Sequence, residues 1–405
     1  MIKIAVLGYG TVGSGVVEVI ATNSKVINKR IGEELEIKYV LDLREFPGTP
    51  VEKLITHNFE DIVNDDEVKI VVEVMGGIEP AYTFVKKSLL AGKSVATSNK
   101  ALVAKHGAEL IAIAKEKNIN FLYEASVGGG IPIIRALAES LTGDEIEEIT
   151  GILNGTTNFM MSKMYNENAD YDSVLKEAQA LGYAERDPSA DVEGQDACRK
   201  IAILSSIISG KQVDFEDIYT EGITNVTLQD IQYAKAMGMK IKLLASCKRS
   251  GDKLGAIVAP HYVEKSHPLY NIEDVFNSIF VKGNMLGDAM FYGSGAGKLP
   301  TASAVVGDIV EAAKNLGRSM MAVWDSEKLV LEEKSDMKKK FFVRVKGSAE
   351  ELKSELEKVF GTIQIVKLAD VSDEFGFMTE VMSEGNYEAN AEKFPQICHM
   401  IRVQA

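Results

Sequence analysis

The sequence predicts an α/β chain that opens with a doubly wound parallel sheet, continues through an inserted α+β domain and closes with a small ferredoxin-like domain. Three observations carry that prediction. An apolar run from Ile2 to Leu7 breaks at Gly8-Tyr-Gly10-Thr-Val-Gly13, and Val16, Val17, Val19 and Ile20 then recur at helical spacing. Strand-like and helix-like segments alternate as far as Tyr123, as crossover-connected parallel strands require. From Phe341 onward the order of elements reads β-α-β-β-α-β.

The first strand lacks polar alternation, as expected of a strand covered on both faces. In the turn after it, Gly8 permits the tight bend, Gly10 admits a pyrophosphate close to the backbone, and Gly13 lets helix and strand pack together. Free N–H groups and the positive end of the helix, at Thr11 and Val12, then face the phosphates. A bare glycine triplet also fits an ordinary turn, so the strand-turn-helix context is what makes this a Rossmann-type dinucleotide site. The second strand, Ile37 to Leu41, ends at Asp42, an acceptor for the ribose hydroxyls of NAD, whereas Arg44 suits the extra phosphate of NADP; both stay open. Because Gly13 and Asp42 lie farther apart than the usual spacing of about 20, residues 22–34 read as an insertion.

Strands at Ile70 to Met75, Ser94 to Thr97 and Phe121 to Tyr123 follow, with helices near 79–91 and 101–117 between them. Thr97-Ser98-Asn99-Lys100 falls at the carboxyl edge of the sheet, where open α/β sheets bind ligands. Lys100 there suits a proton donor; as a mere surface lysine it would oppose the helix dipole. After Gly128-Gly-Gly130 the pattern changes. Val174, Leu175, Ala178 and Leu181 mark a helix stopped by Gly182, and Ile241 to Cys247, Ala256 to Val263, Ser278 to Val281 and Ala289 to Tyr292 read as strands. Val305, Val306, Ile309, Val310 and Ala313 form a helix behind Gly293-Ser-Gly295-Ala-Gly297 that could return to the first sheet. The expected division is therefore 1–130 with 294–324 for the dinucleotide, 131–293 for substrate and dimerisation, a charged linker at 325–340, and 341–405.

With 59 acidic residues against 45 Lys and Arg in 405, the net charge of −14 disfavours nucleic acid and anionic membrane surfaces as partners. No apolar stretch approaches the roughly 18–20 residues of a membrane span. Cys198, Cys247 and Cys398 are too scattered for a disulfide framework or a thiolate metal site, and the N-terminus shows no secretory signal, so a reducing cytoplasm is expected. A small-molecule partner fits best.

Carboxylates concentrate between Gly182 and Asp196, and Lys200 follows Asp196 by one helical turn beside the apolar Ile201, Ala202, Ile203 and Leu204. One reading is a solvated surface ion pair; the other is a pocket for an amino group with a lysine poised over it. Glu124 with the glycine-rich Val127, Gly129 and Ile131 fits either a plain turn or one carboxylate plus carbonyls around a hard cation.

Taken together these residues resemble homoserine dehydrogenase. The resemblance runs through Gly8 to Gly13, Thr97 to Lys100, Tyr123 to Pro132, Gly151-Ile-Leu-Asn-Gly-Thr-Thr-Asn158, Ala180 to Glu185, Asp191 to Lys200 and Gly295 to Ala302, in order. It implies NAD- or NADP-dependent interconversion of L-homoserine and L-aspartate 4-semialdehyde, on the route to threonine and methionine. By this resemblance Lys200 and Lys100 are catalytic, with Lys200 the proton donor, and Glu185, Asp191, Asp196 and Thr156 bind substrate. Gly8, Gly10, Thr11, Val12, Gly13, Thr97, Ser98, Lys100, Gly182 and Gly297 contact the cofactor, alongside Asp42 and Arg44 as read above from the end of the second strand, and Glu124, Val127, Gly129 and Ile131 form a sodium site. A homodimer or dimer of dimers, built through the middle domain, is also implied.

The tail resembles an ACT domain, a module that often binds an amino-acid effector. It departs from that family after the first strand, where Lys346-Gly-Ser-Ala-Glu350 stands in place of the usual Asp-x-Pro-Gly turn. Regulation and a purely architectural role both remain open.

Overall fold

The apolar N-terminal run forms β1 (Ile2–Leu7), an inner strand of a wholly parallel sheet. The computed structural model describes residues 1–321 and 323–404, and contacts within it separate two compact units. The first comprises Met1–Glu145, Ala202–Phe215 and Phe291–Leu329. It continues through α1 (Thr11–Ile31), β2 (Leu35–Leu41), β3 (Ile55–Thr56), α2 (Glu60–Val63), β4 (Val68–Glu73), α3 (Ala81–Leu90), β5 (Ser94–Thr97), α4 (Lys100–Glu116) and β6 (Phe121–Leu122). The sheet order β3-β2-β1-β4-β5-β6 reverses at β1 and β4, so the glycine turn and the ends of β2 and β4 meet at the switch point.

One sequence expectation is corrected here. Residues 22–34 are no insertion: α1 runs on to Ile31, with one non-helical residue at Asn23, and stops at Gly32 in the left-handed region. The long spacing from Gly13 to Asp42 is extra helix.

The second unit comprises Ile146–Ile201, Glu216–Met290 and Val330–Ala405. Its middle stretch supplies β7 (Ile146–Ile152), α5 (Gly155–Glu167), α6 (Tyr171–Ala180), α7 (Ser189–Val192), the start of α8 (Gln195–Ser209), which passes into the first unit at Ala202, β8 (Tyr219–Thr220), α9 (Leu228–Met237), β9 (Lys240–Ser250), β10 (Lys253–Val263), β11 (Phe276–Gly283) and the start of β12 (Gly287–Ser294), which passes into the first unit at Phe291. β9 and β10 form a long hairpin closed by Gly251 and Asp252, a glycine-first two-residue turn. The helix that follows, α10 (Lys298–Lys314), belongs to the first unit and packs on α1, where a Cβ at Gly15 would lie 2.9 Å from that of Ala302.

The C-terminal elements are β13 (Lys338–Lys346), α11 (Ala349–Phe360), β14 (Gln364–Val366), β15 (Glu374–Met378), β16 (Met382–Ser383), α12 (Glu384–Ala391) and β17 (Ile397–Gln404). Phe341, Val343, Val345, Leu356, Phe360 and Phe377 fill a core between its helices and strands. Its four main strands lie in the order β17-β13-β15-β14 and pair antiparallel. β17 also runs parallel to β10, pairing His261 with Arg402 and Val263 with Gln404. The tail therefore continues the sheet of the middle stretch. Of the segment read as a linker, residues 338–340 are already strand, since β13 begins at Lys338.

Candidate active site

In the first unit, Gly8 adopts φ +98°, and a Cβ at Gly13 would come within 1.9 Å of the Gly8 carbonyl oxygen, so neither position tolerates a side chain. Gly10 stands at the start of α1 without a side-chain cap, and open space surrounds the place its Cβ would occupy. The free N–H groups of the helix start thus border a cavity of about 400 Å³ lined by Gly8, Gly10, Asp42, Arg44, His57 and Met75 among others. A dinucleotide phosphate needs such a cradle.

Asp42 lies where the sequence placed it. Its Oδ2 accepts from Tyr9 N at 2.8 Å, and its Oδ1 accepts from Arg44 N at 3.1 Å and Arg44 Nε at 3.0 Å. The Arg44 bond, with the backbone donors, outweighs burial and holds the Asp42 carboxyl at about 2. His57 escaped the sequence reading. Its Nδ1 lies 2.6 Å from the Asp42 carbonyl oxygen and its Nε2 2.7 Å from Glu45, and the Glu45 bond raises its pKa.

At the end of β5, Thr97 donates to Glu73 Oε2 at 2.6 Å, while Glu73 Oε1 accepts from Met75 N at 2.8 Å. Glu73 is fully buried, and burial raises its pKa. It too was missed, although one acid inside the apolar Ile70 to Met75 was a visible signal. Asn99 caps α4 by accepting from Leu102 N, and Lys100 is the first residue of that helix. Ser98 N donates to the Glu73 carbonyl. Gly297, at φ +111°, precedes α10, and a Cβ at Gly129 would lie 2.4 Å from the Gly295 carbonyl oxygen, so the two glycine-rich loops touch backbone to backbone.

Glu124 is buried, and its carboxylate accepts from Ile134 N at 2.8 Å, Arg135 N at 2.9 Å and Arg135 Nε at 3.2 Å. Its own N–H donates to Asp308, whose carboxyl is pushed up to about 8 by burial and by the Glu124 charge. Among the described residues no three His, Cys, Asp or Glu side chains come together as a metal centre.

In the second unit, the acidic segment and α8 do converge with Lys200. Lys200 Nζ donates to Asp196 Oδ2 and to the Leu153 carbonyl, each at 2.7 Å, and both side chains are buried. Asn154 Nδ2 bridges Asp191 Oδ1 at 2.7 Å and Asp196 Oδ2 at 3.0 Å, while its Oδ1 caps α5 by accepting from Thr157 N. Thr156 is buried and donates to the Tyr183 carbonyl at 2.6 Å, just after Gly182 at φ +76°. Glu185 remains exposed, with no hydrogen bond through its carboxylate among the described residues. The surface-pair reading of Lys200 and Asp196 therefore gives way to a buried polar cluster. Asn154 is its unforeseen centre, signalled only by an Asn-Gly-Thr-Thr cap after an apolar strand.

Two sequence-family models match the chain: "Homoserine dehydrogenase" over residues 132–310, and "Homoserine dehydrogenase, NAD binding domain" over residues 8–124. The chain is 43% identical to the homoserine dehydrogenase of Bacillus subtilis over 318 residues, 78% of this chain and 73% of that protein. It is 46% identical to that of Corynebacterium glutamicum over 321 residues, 78% and 72% of the respective chains. A crystal structure of a homoserine dehydrogenase from Thiobacillus denitrificans superposes with TM-score 0.91 at 35% identity, over 100% of this chain and 98% of that one. A hyperthermophilic archaeal homoserine dehydrogenase in complex with NADPH aligns with 78% of this chain and 99% of its own, with TM-score 0.65 and 30% identity.

Proposed function

This chain belongs to the homoserine dehydrogenase family, and from that premise we propose that Lys200 is the proton donor for interconversion of L-homoserine and L-aspartate 4-semialdehyde. The observation that carries this reading is the buried ammonium of Lys200, fixed at 2.7 Å by both Asp196 and the Leu153 carbonyl. NAD or NADP bound at the glycine turn supplies or accepts the hydride. As charge builds on the aldehyde oxygen, the Lys200 ammonium stabilises it and releases a proton to it; in reverse, neutral Lys200 takes the proton from the hydroxyl. Asp196 keeps the lysine charged and aimed between turnovers. Asp191, Glu185 and Thr156 hold the substrate's amino-acid end, and Lys100 orients the reacting group. A plain aldehyde lacks the ammonium that satisfies those acids, so it is rejected.

Around the cofactor, Gly8, Gly10, Thr11, Val12, Gly13, Thr97, Ser98, Gly182 and Gly297 form the proposed contact set, with Asp42 toward the ribose and Arg44 toward a 2′-phosphate. For sodium, Glu124 and the carbonyls of Val127, Gly129 and Ile131 offer hard oxygen donors. The three bonds Glu124 already accepts leave about one of its roughly four acceptor positions for a cation.

The functional division proposed is 1–130 with 294–324 for cofactor, 131–293 for substrate and self-association, and 341–405 as an ACT-like segment. A dimer or dimer of dimers through the middle stretch belongs to the same reading. An amino-acid effector at the tail, a cytoplasmic location and a place in threonine and methionine synthesis complete the reading.

The test is direct. With L-homoserine, the pure protein should generate reduced nicotinamide from NAD or NADP, with lactate and malate as blanks. Lys200→Ala should lose about 10²-fold or more in kcat while binding cofactor normally. An unimpaired kcat in that variant removes Lys200 from the mechanism.

A further inference from the structure

Apart from the residues proposed for the dehydrogenase reaction, the second unit contains a cavity of about 380 Å³, within the range of small-ligand sites. The β9–β10 hairpin forms one side and the start of β13 the other. Its lining carries Lys248, Arg249, Lys338, Lys339 and Lys340 against the acids Glu332 and Asp336. In a chain of net charge −14 this concentration of cations is local and specific.

Lys339 is the informative residue. It is half-buried, makes no hydrogen bond or ion pair through its side chain among the described residues, and its partial burial lowers its pKa despite the attraction of Glu148. The Glu148 carboxylate is itself engaged by Lys248 at 3.1 Å and by Thr150 at 2.8 Å. Lys338 and Lys340, on either side, also make no hydrogen bond or ion pair through their side chains among the described residues. A half-buried ammonium beside further cations is unfavourable unless an anion completes it.

We propose that this cleft binds a small anion bearing two or more negative charges, of the phosphate-ester or dicarboxylate class, with Lys339 at its centre and Lys248, Lys338 and Lys340 around it. The occupant would tie β13 to β9, fastening the C-terminal strands to the hairpin. The cleft lies at the opposite end of β13 from the Lys346 to Glu350 turn, so it is separate from any effector position that the ACT-like resemblance implies.

The experiment titrates the full-length protein with inorganic phosphate and, separately, with malonate at constant ionic strength. NADH is kept saturating so that the glycine turn is filled, and calorimetry and the melting temperature are followed. Saturable binding is expected, with a rise in melting temperature. In Lys339→Met it should weaken at least about tenfold, as loss of one charge-assisted hydrogen bond predicts, with homoserine oxidation unchanged. Methionine fills the same space without the lone charge, so this variant should melt no lower than the parent; if it fails to fold, Lys338→Ser/Lys340→Ser replaces it. Phosphate alone binding assigns the phosphate-ester class, and malonate alone the dicarboxylate class. No saturable binding of either anion, or equal binding in parent and variant, overturns the proposal.

Discussion

Asn154 performs three tasks with one side chain. Its Oδ1 caps α5, and its Nδ2 joins Asp191 to Asp196, which in turn holds Lys200. The cap is worth about 1 kcal/mol, and serine caps nearly as well, so Asn154→Ser should change stability little. Serine is too short to span both carboxylates, which would then be free to separate and let Lys200 turn. We expect a fall in kcat of about tenfold or more, with urea unfolding near that of the parent. Normal turnover in Asn154→Ser would show that the amide bridge is dispensable. The same contrast explains what could be read beforehand. Lys200 one turn after Asp196 follows from helix geometry alone, whereas Asn154 meets Asp191 only because β7 and α7 fold together across 37 residues. An N-cap asparagine looks the same in sequence whether or not its amide has a second partner. The partners of His57 and Glu73 were hidden for a similar reason, since each lies at the end of a neighbouring strand.

Helix α9 shows how one element is locked from both its own start and the distant tail. Thr227 and Asp230 form a capping box, and Asp230 Oδ1 also accepts from Arg344 at 2.8 Å on β13 and lies 2.9 Å from His399 Nδ1 on β17. Burial alone would raise this carboxyl, but the His399 bond and the charges of His399 and Arg344 hold it at about 2, below the ordinary 3.8. A depressed folded-state value stabilises the fold above the unfolded-state pKa, and the benefit disappears as pH falls through the folded one. Asp230 should therefore contribute roughly 2 kcal/mol at neutral pH, lost between about pH 4 and pH 2. Asp230→Asn should be less stable than the parent at neutral pH, and the gap in denaturant midpoints should close across that window. A gap that stays constant would place the stabilisation in packing, independent of charge. The helix itself was beyond the sequence reading, because its apolar positions alternate weakly and its strongest contacts come from residues more than 100 positions away.

Across the whole molecule, the order of elements was readable because periodicity and turn residues are local, and the parallel first sheet followed from alternation alone. What joins the parts was not readable. The tail looked self-contained, since its six-element pattern fills a core of its own, yet β17 lies against β10 and places Arg402 between Glu384 and Glu221. Strand partners chosen between such distant segments depend on tertiary packing, and the alternation in β17 is the same for either neighbour. This union makes a strong prediction. Deleting residues 338–405 would bare the β10 edge at His261 to Val263, all fully buried, and leave Asp230 and Glu221 without Arg344, His399 and Arg402. Removing one partner of a buried pair costs about 3–5 kcal/mol, against a total stability of only about 5–15. The freed edge is also a template for aggregation. The truncated chain should therefore emerge as aggregate in size-exclusion chromatography, without a cooperative melt or homoserine oxidation, although every residue proposed for catalysis is retained. A soluble truncated protein with the parent's melting temperature would show instead that the tail is an addition the rest of the sheet does not need.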